Sequence, residues 1–259
     1  MGAYDMDDTE LLPLQLAVQT NPTDPEARLA LLRGLLAAEH WQEATELAQA
    51  LLQTDTPPAI AHVYLGLIYG KQGGWEDAAQ QCQQALTLQA DDALALFNLG
   101  LAQAHQGADA AALECLKQVV AQAPEWAEAQ YTLGTLLLRQ QLYHEAIKAF
   151  EAALEAQNIY PEAQFNRGNA HAMRSLDSDG SLDYYELDCA INAYKIAIQQ
   201  RPGYTAALYN LGMLYQRMGS AEGLRVWEQY LEAAASRAEE DTWRTRAQSF
   251  KEDLAYRLR

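Results

Sequence analysis

Residues 127–160 read AEAQYTLGTLLLRQQLYHEAIKAFEAALEAQNIY, and this stretch recurs along the chain. A first run carries Leu133-Gly134, a polar break falls at Gln140 and Gln141, and a second run carries Ala146, Phe150 and Ala153. Thirty-four residues earlier stand Leu99-Gly100, then Ala112, Leu116 and Val119. Another 34 residues back stand Leu65-Gly66, then Ala78, Cys82 and Ala85. Thirty-four residues onward stands Arg167-Gly168, with its alanine displaced to Ala190. Apolar residues at helical spacing on both sides of a polar break predict two amphipathic helices per period.

A 34-residue period of paired helices closely resembles the tetratricopeptide repeat. The resemblance implies an all-α chain, a right-handed superhelical α-solenoid of antiparallel helix pairs, with about fourteen helices and a capping helix at both ends. Residues 1–24 divide into a tail and a helix near 9–20. That helix fits the register of a second helix without its first, because Ala17 and Pro22 lie 34 residues before Leu51 and Thr56. Six repeat units follow over 25–235, with Leu32 where later repeats have glycine. Residues 236–259 form a terminal helix with Trp243, Phe250, Leu254 and Leu258 on one face, the solvating cap that an exposed solenoid end requires.

Gly66, Gly100, Gly134, Gly168 and Gly212 fall within predicted helices, where glycine costs roughly 1 kcal/mol against alanine. A cost repeated at fixed spacing predicts close approach of the paired helix, through Ala78, Ala112, Ala146 and Ala190.

The bulk numbers set bounds. The chain has 259 residues, 49% of them hydrophobic, enough for a continuous packed seam. The net charge of −17 argues against nucleic acid, whose phosphates need a basic stripe. Residues 1–116 hold 3 basic and 16 acidic side chains, a net of −13, whereas residues 201–259 hold 9 and 8, a net of +1. The acidic half either serves solubility or attracts a basic partner. Cys82, Cys115 and Cys189 are odd in number and lack CxxC spacing, as expected of thiols in a reducing compartment. No signal peptide and no apolar run of the ~20 residues that a membrane span needs is visible, so a cytoplasmic location is expected.

In the tetratricopeptide family the first helices line a concave groove. The resemblance places Leu29, Val63, Phe97, Tyr131, Phe165 and Tyr209 at one groove position. Asn98, Asn166, Asn169 and Asn210 lie beside them, with His105, Arg139, Met173 and Arg217 farther along. Asparagine amides can grip the main chain of an extended peptide while rings receive its apolar side chains; the alternative is that the rings pack between repeats. Some family members clamp a chaperone's C-terminal carboxylate with lysines and asparagines. Asn169 and Asn210 match the asparagines, but Phe165 stands where a lysine is expected.

Gly168 to Gly212 spans 44 residues, ten more than the period. The excess lies near 175–186 and resembles the twelve-residue calcium loop of an EF-hand. With Gly180 at the sixth position, Ser175, Asp177, Asp179, Ser181, Asp183 and Glu186 become candidate Ca2+ ligands and Leu182 takes the apolar position. Ser175 at the first position, Arg174 before it and the lack of a second loop depart from the motif; a solvated acidic loop is the other reading.

No GxGxxG, GxxxxGK[ST], HExxH or GxSxG occurs, and the five histidines are scattered. The expectation is a non-enzymatic adaptor or scaffold that holds a peptide or protein partner, in an assembly or chaperone-like role and with no required cofactor. A calcium-responsive adaptor and an enzyme with a composite groove site are the alternatives.

Overall fold

The computed structural model describes residues 8–55, 57–175, 183–237 and 240–258. Among these, all regular structure is α-helical apart from one 3-10 residue at Glu240. The fourteen helices of the described residues are α1 (Asp8–Thr20), α2 (Pro25–Ala37), α3 (Trp41–Leu52), α4 (Ala59–Lys71), α5 (Trp75–Leu88), α6 (Ala93–His105), α7 (Asp109–Gln122), α8 (Ala127–Arg139), α9 (Tyr143–Ala156), α10 (Pro161–Arg174), α11 (Tyr184–Gln200), α12 (Thr205–Met218), α13 (Glu222–Ala234) and α14 (Asp241–Arg257). Successive antiparallel pairs of this kind are the α-solenoid class that the periodicity implied. None of the helices is long and apolar enough to cross a membrane.

The chain divides into two compact units, Met1–Ala123 and Pro124–Arg259. The first unit holds α1–α7. Its N-terminal core joins Leu11 of α1 to Leu31, Leu32, Leu35, Ala44, Ala48, Leu51, Ala61, Leu65 and Ile68. Helix α1 thus covers apolar surface of the first full pair, with Leu12 and Leu16 left exposed on its other side. In the second unit, α8–α14, a core cluster runs from Leu187 and Tyr194 through Leu211, Trp227 and Tyr230 to Ala247 of α14.

Helix ends are set locally. Asp24 and Asp92 cap α2 and α6 by accepting from the Glu26 and Ala95 amides. The break between α6 and α7 turns on Gly107, at φ +78°, a left-handed conformation that side-chain-bearing residues adopt only with strain.

The repeated glycines make room for something larger than the expected alanines. A methyl on Gly134 would lie 2.7 Å from the Phe150 ring, and one on Gly168 would lie 2.6 Å from Tyr194. Likewise Gly66 faces Cys82, Gly100 faces Leu116 and Gly212 faces Trp227. Ala78 and Ala112 contribute their backbone carbonyls to the same hollows. The side chain that fills each hollow stands one helical turn beyond the alanine, except opposite Gly212. In the first pair the volumes are exchanged: Leu32 and Ala48 occupy the equivalent positions, both fully buried in one cluster. Cys82 is the smallest of the plugs opposite glycine, and burial pushes its thiol up to about 12.

The ten-residue excess leaves the α10–α11 pair intact. The Asp183 amide donates to the Ser175 carbonyl at 3.0 Å, so the insertion is closed at its base. Helix α11 begins at Tyr184, within the 175–186 stretch, because the Asp183 carboxylate caps it by accepting from the Tyr185 and Glu186 amides.

Candidate functional site

The first helices of the second unit carry a run of hydrogen-bonded side chains. Asn210 on α12 donates from Nδ2 to Asn169 Oδ1 at 2.8 Å, and Asn169 on α10 donates to Asn166 Oδ1 at 3.2 Å. Asn166 donates in turn to the Tyr131 hydroxyl on α8 at 3.1 Å. Beneath this run the Tyr194 hydroxyl donates to Asn169 Oδ1 at 2.8 Å. Four of the expected groove residues, Tyr131, Asn166, Asn169 and Asn210, are therefore brought together and held in fixed rotamers by one another.

All four are half-buried. Each asparagine has two N–H donors and an oxygen with two lone pairs. Within this network Asn210 keeps its oxygen, and Asn166 and Asn169 each keep one N–H. Those are the donors and acceptors that a peptide main chain needs. Burial raises the pKa of Tyr131, against opposing hydrogen bonds from Thr135 and Asn166, so its hydroxyl stays protonated at neutral pH.

The rings beside the amides do structural work, as the alternative reading had it. Tyr131 lies 5.0 Å from Tyr160 and 6.0 Å from Phe150 between ring centroids. Phe165 lies 5.2 Å from Tyr204 and 5.9 Å from Tyr194. Tyr209 meets Trp243, Tyr230 and Trp227 edge-on. Each groove ring thus rests on the plug of its own hairpin and on a ring from the segment that follows. The groove spacing does not point to Tyr160 and Tyr204, although both directly precede a first helix. Trp243 stands 34 residues beyond Tyr209, so α14 continues the register of the first helices as well as covering α13.

The first unit offers less at these positions. Val63, Phe97 and Asn98 are buried, which removes Phe97 and Asn98 from an open groove. His105 lies flat on Trp75, ring centroids 3.7 Å apart and 2° from parallel. Arg139 and Met173, in the second unit, are exposed.

The described ends of the insertion do not present a calcium shell. Ser175 is buried, and its hydroxyl donates to the Ala172 carbonyl at 2.7 Å. Asp183 is the α11 cap. Glu186, the expected closing ligand, is turned inward and only 3% exposed. One of its oxygens lies 2.8 Å from His171 Nδ1 and the other 3.4 Å from the Arg174 guanidinium. A glutamate on the inward face of a helix meets the partners of that face, which loop spacing could not reveal. Asp177, Asp179, Ser181 and Leu182 lie outside the described residues.

A sequence model described as the tetratricopeptide repeat matches residues 29–87, 65–126 and 131–187. A crystal structure of MamA superposes with a TM-score of 0.61 at 23% identity, covering 71% of this chain and 96% of that one. A MamA segment from Desulfovibrio magneticus RS-1 gives 0.62 at 19% identity, over 71% and 99% of the two chains. YrrB, described as a TPR protein with an unusual peptide-binding site, gives 0.63 at 20% identity, over 75% and 95%. No curated protein matches the sequence. At these identities the likeness is one of fold.

Proposed function

The chain belongs to the tetratricopeptide repeat family, and from that premise we propose that it is a non-catalytic adaptor that holds an extended segment of another protein against the first helices of its second unit. The observation that carries this reading is the amide run Asn210–Asn169–Asn166–Tyr131, ordered before any partner arrives. Pre-ordered donors lose little entropy on binding, so more of each new hydrogen bond appears as affinity. The peptide-binding site named for YrrB, a protein of the same fold, supports the reading.

The experiment is a selection of linear peptides from a random library against the full chain. Enriched peptides are expected to lose about tenfold in affinity on Asn166→Ala, in line with ~1.4 kcal/mol for one well-ordered hydrogen-bonding group. The same loss is expected on Asn210→Ala, with circular dichroism unchanged in both variants. Selected peptides that bind both variants as tightly as wild type would place recognition elsewhere.

A further inference from the structure

At the α14 end of the amide run lies a cavity of about 270 Å³, lined by Thr205, Ala206, Tyr209, Asn210, Tyr230, Glu240 and Trp243. Tyr209 forms a corner of it, with Trp243 at 5.2 Å and an interplanar angle of 78°, and with Tyr230 at 5.4 Å and 68°. The Glu240 carboxylate is fixed on both oxygens. The Thr205 hydroxyl donates to one at 2.9 Å, and the Tyr230 hydroxyl donates to the other at 2.7 Å. Both donors are neutral, so they orient the charge without cancelling it.

Aromatic walls at steep angles around a fixed carboxylate are the chemistry that holds an alkylammonium ion, through ring quadrupoles and a direct charge. The cations nearby are engaged. Arg244 pairs with Asp241 and donates to the Ala235 carbonyl at 2.6 Å, and Arg237 donates to Thr205 at 3.3 Å. Arg246 stands over the Trp243 ring at 5.1 Å, so that ring already attracts a positive group.

We propose that this cavity is the end subsite of the groove and takes the ammonium side chain of a lysine, free or methylated, from the bound segment. The inference rests on the groove reading for its partner, but the cavity can be tested without one. The probes are N-acetyl-lysine methylamide, its trimethyllysine form and, as the uncharged control, N-acetyl-norleucine methylamide. Each is titrated into the 15N-labelled full chain at constant ionic strength. The readout is the indole N–H signal of Trp243, assigned by its loss in Trp243→Phe.

A saturable shift with at least one ammonium probe, at least fivefold weaker with norleucine, is expected. Glu240→Gln, with its circular dichroism checked against wild type, is expected to weaken that binding about tenfold. Equal affinity for norleucine would make the cavity a plain apolar pocket, and no saturable shift with either ammonium probe would remove the site; both overturn the proposal. So would undiminished binding in Glu240→Gln. None of these results depends on the Asn166 and Asn210 variants, so subsite and groove can fail separately.

Discussion

Gly134→Leu is expected to lower the melting temperature by about 10 °C, the equivalent of ~3 kcal/mol in a chain of this size. Even a methyl at this position would lie 2.7 Å from the Phe150 ring, and that ring is fully buried. Phe150 cannot swing aside, because the Tyr131 ring lies against it at 6.0 Å. The added side chain must therefore push α8 from α9, and interiors packed as tightly as this relax poorly. Gly107→Ala is the control. Nothing lies within 4 Å of a methyl there, so only the strain of φ +78° remains, about 1 kcal/mol. Equal melting shifts for the two variants would refute the plug-and-hollow arrangement.

Glu186→Ala is expected to cost about 3 kcal/mol in denaturant unfolding, since it strands His171 in a buried site and leaves the Arg174 guanidinium without its carboxylate. The His171 and Glu186 side chains are 10% and 4% exposed, so water cannot replace the lost bond. Glu186→Gln keeps an oxygen for the imidazole and is expected to cost about 1 kcal/mol, the difference between a charged and a neutral acceptor. Equal losses for alanine and glutamine would mean that the 2.8 Å contact does not form in solution. A glutamate held in this way also predicts that Glu186→Gln changes the melting temperature equally with and without millimolar calcium.

The fold was legible because period, polar breaks and glycine spacing all point one way. The glycines recur every 34 residues from Gly66 to Gly168, and the ten-residue excess that follows announces itself as an insertion. What the sequence concealed lies in three dimensions. Spacing named the small residue in each hairpin but not its complement, because which of the periodic second-helix positions meets the glycine depends on how the two helices cross. The asparagines could be placed on the expected groove face; their mutual hydrogen bonds could not, since Asn169 and Asn210 are 41 positions apart and meet only when α11 brings α12 beside α10. The surroundings of Glu186 were hidden for a related reason. Its spacing from Ser175 suits a loop ligand, but its position on α11 points it at His171.

The plugs opposite the repeated glycines grow along the chain, from Cys82 through Leu116, Phe150 and Tyr194 to Trp227. An array of identical hairpins has a built-in ambiguity: a helix can settle into the wrong neighbour's place, or into a second molecule's, and bury almost as much surface. Graded volumes give every hairpin its own key. Seated in the hollow shaped around Cys82, where a methyl on Gly66 would already be 2.5 Å from sulfur, Trp227 would force the helices apart. The reverse exchange would leave a void where an indole belongs, at a cost that rises with its volume. Misassembly therefore becomes costlier with each repeat skipped, and the order of the repeats is written in side-chain size, independently of loop length or charge.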